Sequence, residues 1–182
     1  MSRLVQAYRS SGYRRDHRQV DILTRYFQPL ETALKQPKGV VRGIYLHGGV
    51  GTGKSLLMNL FTKHSSCHIS RFHFHEFMLS IHARIRNIKT ESITENALVS
   101  EREALQTLAK QVADTSPILC LDEFQVTDIA DAMIMKSLFT TLFQKGIILI
   151  ATSNTAPQVK SHFLRLMELR SSSKKIIIIV VL

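Results

Sequence analysis

The stretch that most constrains this chain runs from Gly43 to Ser55: Gly-Ile-Tyr-Leu-His-Gly-Gly-Val-Gly-Thr-Gly-Lys-Ser. Its second part, Gly48 to Ser55, matches G-x-x-x-x-G-K-[ST], the P-loop pattern. Glycines let the backbone turn tightly enough for several N–H groups to face one concave point, a geometry suited to phosphate oxygens. A helix starting near Lys54 adds about half a positive charge at its N-terminus. Lys54 is then placed to reach β- and γ-phosphates, and the Ser55 hydroxyl to be a ligand of Mg²⁺. The expected nucleotide-binding residues are therefore Gly48, Gly49, Val50, Gly51, Thr52, Gly53, Lys54 and Ser55. Apolar Val40, Val41, Ile44 and Leu46 precede the loop and a helical stretch from Ser55 to Lys63 follows it, as strand–loop–helix requires.

Composition sets the outer bounds. With 182 residues, 45% of them hydrophobic, the chain can form one domain with a real core. Twenty-four basic against fourteen acidic residues give +10. That excess admits nucleic acid, an anionic membrane or a solvated surface. The basic residues are scattered, with Arg14, Arg15 and Arg18 the only tight group, and Tyr8 and Tyr13 are too few for a base-stacking platform. A solvated surface is the favoured reading, with nucleic acid not an expected partner. Cys67 and Cys120 cannot build a disulfide framework and fit a reducing compartment. No apolar run approaches the ~18 residues that span a bilayer, so peripheral membrane association is the most to expect. Residues 1–15 are Arg-rich, Ser-containing and acid-free, as in a transit peptide, yet their apolar spacing is poor and the same arginines would suit a domain surface.

Along the chain, Asp16 and Gln19 form a plausible capping pair. Val20, Leu23, Phe27, Leu30 and Leu34 then recur at helical spacing, predicting a helix over 17–34 that Pro29 kinks or splits. Pro37-Lys38-Gly39 ends this N-terminal helical segment, 1–39. A short strand is predicted over Arg71–Phe74, a helix from Glu76 to about Ile88, and a polar surface loop over 89–100. Leu105, Leu108 and Val112 mark another amphipathic helix, closed by Asp114-Thr115-Ser116-Pro117. Ile118 to Leu121 reads as a strand buried on both faces. A helix opened by Thr127 and Asp128 runs to Gln144 and stops at Lys145-Gly146. Ile147 to Ala151 is the next buried strand, with Thr152-Ser153-Asn154 just past it. A helix over about 157–170 and the apolar run 176–182, a strand or an uncovered tail, complete a divergent segment, 156–182. Strands alternating with helices imply a parallel sheet, centred on a nucleotide-binding core over 40–155.

In open parallel sheets ligands bind beyond the carboxyl ends of the strands, so the P-loop, Asp122-Glu123 and Asn154 can converge on one nucleotide. Asp122 would hold Mg²⁺ directly or through its water. Glu123 would accept a proton from, or orient, the attacking water, which with Lys54 and Asn154 makes the expected catalytic set. Asn154 would bond the γ-phosphate or that water, although asparagine after a strand is also a common turn residue. His73 and His75 would share one face of a strand, with Cys67, His68 and His82 nearby in sequence. Their spacing is not that of a zinc site; polar contacts beside the nucleotide, or partner or nucleotide sensing, fit better. No Asn-Lys-x-Asp stretch is present, so ATP is favoured over GTP.

The P-loop stretch, His-Phe-His-Glu-Phe-Met (73–78), Leu-Asp-Glu-Phe-Gln-Val-Thr-Asp-Ile-Ala-Asp-Ala-Met (121–133) and Ala-Thr-Ser-Asn (151–154) occur together and in order. The set closely resembles the AFG-one-like ATPases over roughly residues 3–155. The resemblance implies an AAA+-like P-loop NTPase fold, α/β with three layers around a five-stranded central parallel sheet. It further implies ATP and Mg²⁺ as cofactors, an ATPase working as an oligomer or with longer family members, and protein clients. The implied setting is mitochondrial protein quality control or, alternatively, the bacterial cytoplasm. After Asn154 the family continues through Pro-Pro-x-x-Leu-Tyr and an Arg-bearing stretch, where this chain has Thr155-Ala156-Pro157-Gln158-Val159. Arg165 and Arg170 fit an arginine-finger role poorly. The expectation is a shortened chain that binds Mg·ATP and, alone, turns it over slowly, or that modulates longer subunits; the +10 charge keeps a nucleic-acid-dependent ATPase as a further alternative.

Overall fold

An apolar strand buried on both faces needs a helical layer on each side, and both layers are present. The computed structural model describes residues 3–13, 16–34, 43–94, 99–155 and 178–182. Strands β1 (Gly43–His47), β2 (Ile69–His73), β3 (Ile118–Asp122), β4 (Ile148–Ser153) and β5 (Ile178–Val181) form one sheet in the order β2-β3-β4-β1-β5. Every pairing is parallel. The central strands β3 and β4 are buried throughout, whereas edge strand β2 is half exposed. Alternation then divides the core in two. Leu119, Leu121, Leu149 and Ala151 pack against α5 (Phe74–Thr94), α6 (Glu101–Thr115) and α7 (Ile129–Gln144). Ile44, Leu46, Cys120 and Ile150 pack against α1 (Arg3–Ser10), the helix from 17 to 34 and α4 (Lys54–His64). This is the three-layer α/β P-loop fold.

The 17–34 helix forms as α2 (His17–Ile22), a π-helical turn (Leu23–Phe27) and α3 (Gln28–Leu34). The expected disruption at Pro29 takes the form of that wide turn, in which the Gln28 N–H donates to Leu23 O. Proline cannot donate to the carbonyl four residues back and its ring crowds it, so the irregular turn just before Pro29 has a local cause. Asp16 caps α2 by accepting from the Arg18 N–H, but its expected partner Gln19 does not complete the pair. Gln19 turns inward instead.

Two other expectations need correction. The loop predicted over 89–100 is helical as far as Thr94. Its polar residues satisfy themselves within the helix, Thr90 Oγ1 donating to Arg86 O and Ser92 Oγ to Lys89 O, so aperiodic polarity did not mean loop. The strand predicted to end at Phe74 ends at His73, and α5 begins at Phe74 rather than Glu76. Strand alternation therefore does not relate His73 to His75. Smaller shifts place Thr152 and Ser153 inside β4 rather than past it. Glycine ends α7 as expected, with Gly146 at φ 83°. A capping box that sequence reading missed opens α6, where Ser100 and Glu103 bond reciprocally. Val40, Val41, Pro37-Lys38-Gly39, Arg14, Arg15 and the helix expected over 157–170, with Arg165 and Arg170, lie outside the described residues.

Candidate functional site

β1 delivers the chain to the carboxyl edge of the sheet, and the loop from Gly48 turns it directly into α4. Gly51 and Gly53 adopt φ of 81° and 94°, a region that costs side-chain-bearing residues about 1 kcal/mol or more. The loop is tied to the next strand by the Gly48 N–H, which donates to Ser153 O at 3.3 Å. Lys54 is the first residue of α4 and is 7% exposed. Its ammonium donates to Gly48 O at 2.9 Å and Gly49 O at 2.7 Å, so the loop holds the cation over its own hollow. Burial lowers the Lys54 pKa from its ordinary value. His47, at the end of β1, is also pushed below its ordinary value, by burial and then by the Lys54 charge.

Two strands away, β3 ends in the acidic pair. Asp122 is 4% exposed. One of its oxygens accepts from Thr152 Oγ1 at 3.0 Å; the other accepts from Arg71 Nε at 2.7 Å and lies 2.5 Å from Nη2. Arg71, on neighbouring β2, also bonds Asn59 of α4. Glu123 sits at φ 56°, left-handed for a residue with a side chain, which costs about 1–3 kcal/mol and persists only where the surroundings impose it. Here they do. The Glu123 N–H donates to Thr152 Oγ1 at 3.2 Å and the Phe124 N–H to Thr152 O at 2.6 Å. Phe124 is further held by packing 4.8 Å from the Phe74 ring and edge-on to Tyr45. The result turns Glu123 out of the strand line and into solvent-accessible space.

A cleft of about 300 Å³ is lined by Gly51, Gly53, Lys54, Ser55, Glu123 and Asn154, with Val50 and Thr152 beside them. Residues of three separate motifs thus meet around one volume, although Gly48, Gly49 and Thr52 of the predicted loop set do not line it. Asp122 does not line it; it lies behind, bonded by Arg71 and Thr152. His73 stands 4.0 Å from the Glu123 carboxylate and is more than half exposed, so it belongs to the rim of this site. His75 is exposed on α5, and His82 pairs with Asp131 at 2.8 Å across α5 and α7. Among the described residues there is no group of three His, Cys, Asp or Glu placed to hold a metal ion. Cys120 is fully buried, its thiol pushed up to about 12 by burial, and so is no nucleophile. No described helix is long and apolar enough to cross a membrane.

Three contributors escaped the sequence reading. Arg71 carried no motif. Thr152 was visible only as part of a strand end, and Gln19 was assigned to a cap. Their common feature is a partner distant in sequence, 51, 30 and 33 residues away, which local pattern does not encode.

A family model described as AFG1-like ATPase matches residues 3–169. The chain belongs to the AFG1-like ATPases. It is 41% identical over 120 residues to Lactation elevated protein 1 homolog B of Danio rerio, covering 64% of this chain and 24% of that protein. Cell division protein ZapE of Escherichia coli strain K12 is 42% identical over 118 residues, covering 64% and 29%. The chain therefore spans under a third of either relative's length. A crystal structure of a DNA replication initiation factor superposes with a TM-score of 0.51 at 14% identity, covering 93% of this chain and 48% of that one. That likeness concerns the fold alone.

Proposed function

We propose that this AFG1-like chain binds Mg·ATP at the 300 Å³ cleft and hydrolyses it. The observation that carries the reading is the convergence of Lys54, Ser55, Glu123 and Asn154 on that one volume. The loop amides and the α4 N-terminus bind phosphate, and Lys54 exchanges its loop carbonyls for β- and γ-phosphate oxygens. Glu123 orients the attacking water and takes its proton; Asn154 bonds the γ-phosphate or that water. The donor set suits Mg²⁺, a hard cation that takes one or two protein oxygens alongside phosphates and waters. Ser55 would hold it directly and Asp122 through a water, since both Asp122 oxygens already accept hydrogen bonds. Bound there, the ion would neutralise charge developing between the β- and γ-phosphates.

Among the described residues no arginine lines the cleft. An arginine supplied in trans is worth about 10³–10⁵ in rate in P-loop hydrolases, so turnover by the isolated chain is slow and assembly with further subunits accelerates it. A mitochondrial setting with protein clients is the leading reading, and the bacterial cytoplasm is the alternative, the relatives including both the lactation elevated protein homologue and ZapE. Steady-state hydrolysis and equilibrium ATP binding, measured on wild type, Lys54→Ala and Glu123→Gln, test the reading. Lys54→Ala should lose binding; Glu123→Gln should bind ATP but turn over about 10²–10⁴-fold more slowly. If wild type turns over no faster than Glu123→Gln while both bind ATP, hydrolysis by this chain is refuted.

A further inference from the structure

Gln19 lies in α2, 34 residues before the Lys-Ser end of the P-loop begins at Gly53, and outside every nucleotide motif. It is nonetheless 8% exposed and wedged against the back of that loop. Its Nε2 donates to Thr52 O at 2.9 Å, and its Oε1 accepts from the Tyr8 hydroxyl at 2.8 Å. Tyr8, 1% exposed, in turn accepts from the Asp16 N–H at 3.0 Å. The amide orientation is chemically dictated. A backbone carbonyl can only accept, so the nitrogen must face Thr52, and the oxygen is left for the tyrosine proton.

Glycine at position 53 makes the approach possible. A Cβ there would overlap Gln19 Nε2 and stand 3.0 Å from Gln19 Cδ. The absent side chain thus serves two faces of the loop, the φ of 94° on one and the seat of Gln19 on the other. The peptide that Gln19 grips also matters. Thr52 C=O and Gly53 N–H belong to one trans peptide unit and point in opposite directions. Pinning the carbonyl toward α2 turns the Gly53 N–H away from α2, and Gly53 lines the cleft.

We propose that Gln19 is a positioning residue that aims the Gly53 amide at the bound phosphates, and that Tyr8 fixes Gln19 for that task. The inference rests on the nucleotide-binding reading above and deepens it. Its energetic basis is pre-organisation: a donor already aimed need not be ordered when the anion arrives. It predicts that α1 and α2 act on phosphate affinity without touching the nucleotide.

Gln19→Met keeps length and volume but removes the donor; Tyr8→Phe removes one hydroxyl. Equilibrium titrations with Mg·ATP and with inorganic tripolyphosphate, alongside thermal melts, separate the outcomes. Gln19→Met should weaken both ligands by about tenfold at a temperature where the variant is folded. Tyr8→Phe should weaken both by about threefold, and it carries the test should Gln19→Met not fold. Affinities equal to wild type, with only the melting temperature lowered, would reduce Gln19 to a packing role and overturn the proposal. Loss of ATP affinity with tripolyphosphate unaffected would also overturn it, because Gln19 would then act on the nucleoside. A wild type that binds neither ligand removes the functional reading itself, a result distinct from either.

Discussion

The two halves of the site are built by different means. The proposed phosphate cradle, Gly48 to Ser55, is backbone shaped by glycines and closed by a lysine that bonds carbonyls of its own loop. The acidic corner, Asp122 and Glu123, is held by side chains from two other strands: Arg71 of β2 and Thr152 of β4. One half is shaped mainly by its own residues, with Gln19 and Ser153 buttressing it from outside, and the other is assembled. A local motif carries its geometry in its own residue order, whereas an assembled one depends on partners that the sheet brings together.

Substitutions should reveal that difference in order of size. Arg71→Met leaves the buried Asp122 carboxylate without its cation. A fully buried pair loses about 3–5 kcal/mol on such truncation, and solvent reaching the partly exposed Arg71 brings the expected loss to about 2–3 kcal/mol in denaturant unfolding. Next come two threonines, one in each half. Thr152→Val removes the bonds to Asp122 and to the Glu123 N–H, which should cost about 1–3 kcal/mol and slow turnover with ATP affinity retained. Thr52→Ala removes an exposed bond to Gly49 O and a long one, 3.5 Å, accepted from the Lys54 ammonium, which keeps its two carbonyl partners; stability should change by no more than about 0.5 kcal/mol. Equal effects at 52 and 152 would erase the distinction between the halves.

The smallest effect is electrostatic and reads out the cradle. Burial and the Lys54 charge both disfavour the imidazolium of His47. Lys54→Met should therefore raise the His47 pKa toward, but not up to, 6.5, since burial remains; an NMR titration of the imidazole checks it. The same depression has a linkage consequence. The unfolded chain takes up a proton at His47 before the native one does, so this residue's contribution to stability falls as pH drops through 6.5 toward the lowered value.

The same division explains what could be read from sequence. The cradle, the β3 acids and the Asn154 turn were legible because each is a contiguous pattern at a strand end, and the sheet puts strand ends on one edge. The continuous apolar runs of β3 and β4 announced their burial on both faces. Arg71 was not legible, because an arginine in an edge strand looks like any solvated residue until the strand order sets it beside β3. Gln19 was misassigned for a related reason: its spacing from Asp16 satisfies a cap, while its true partner is 33 residues on. The helix beyond Ile88 was missed because its hydroxyl groups bond backward within the helix, a solution that polarity alone does not signal.

The account rests on one triphosphate being held jointly by both halves, and a crystal structure of Glu123→Gln with Mg·ATP tests it most directly. The account predicts phosphates against the amides of Gly51 to Ser55 and the Lys54 ammonium, with the γ-phosphate facing residue 123 and Asn154. A nucleotide bound away from the loop, or seated in it with residue 123 and Asn154 out of reach of the γ-phosphate, would contradict it.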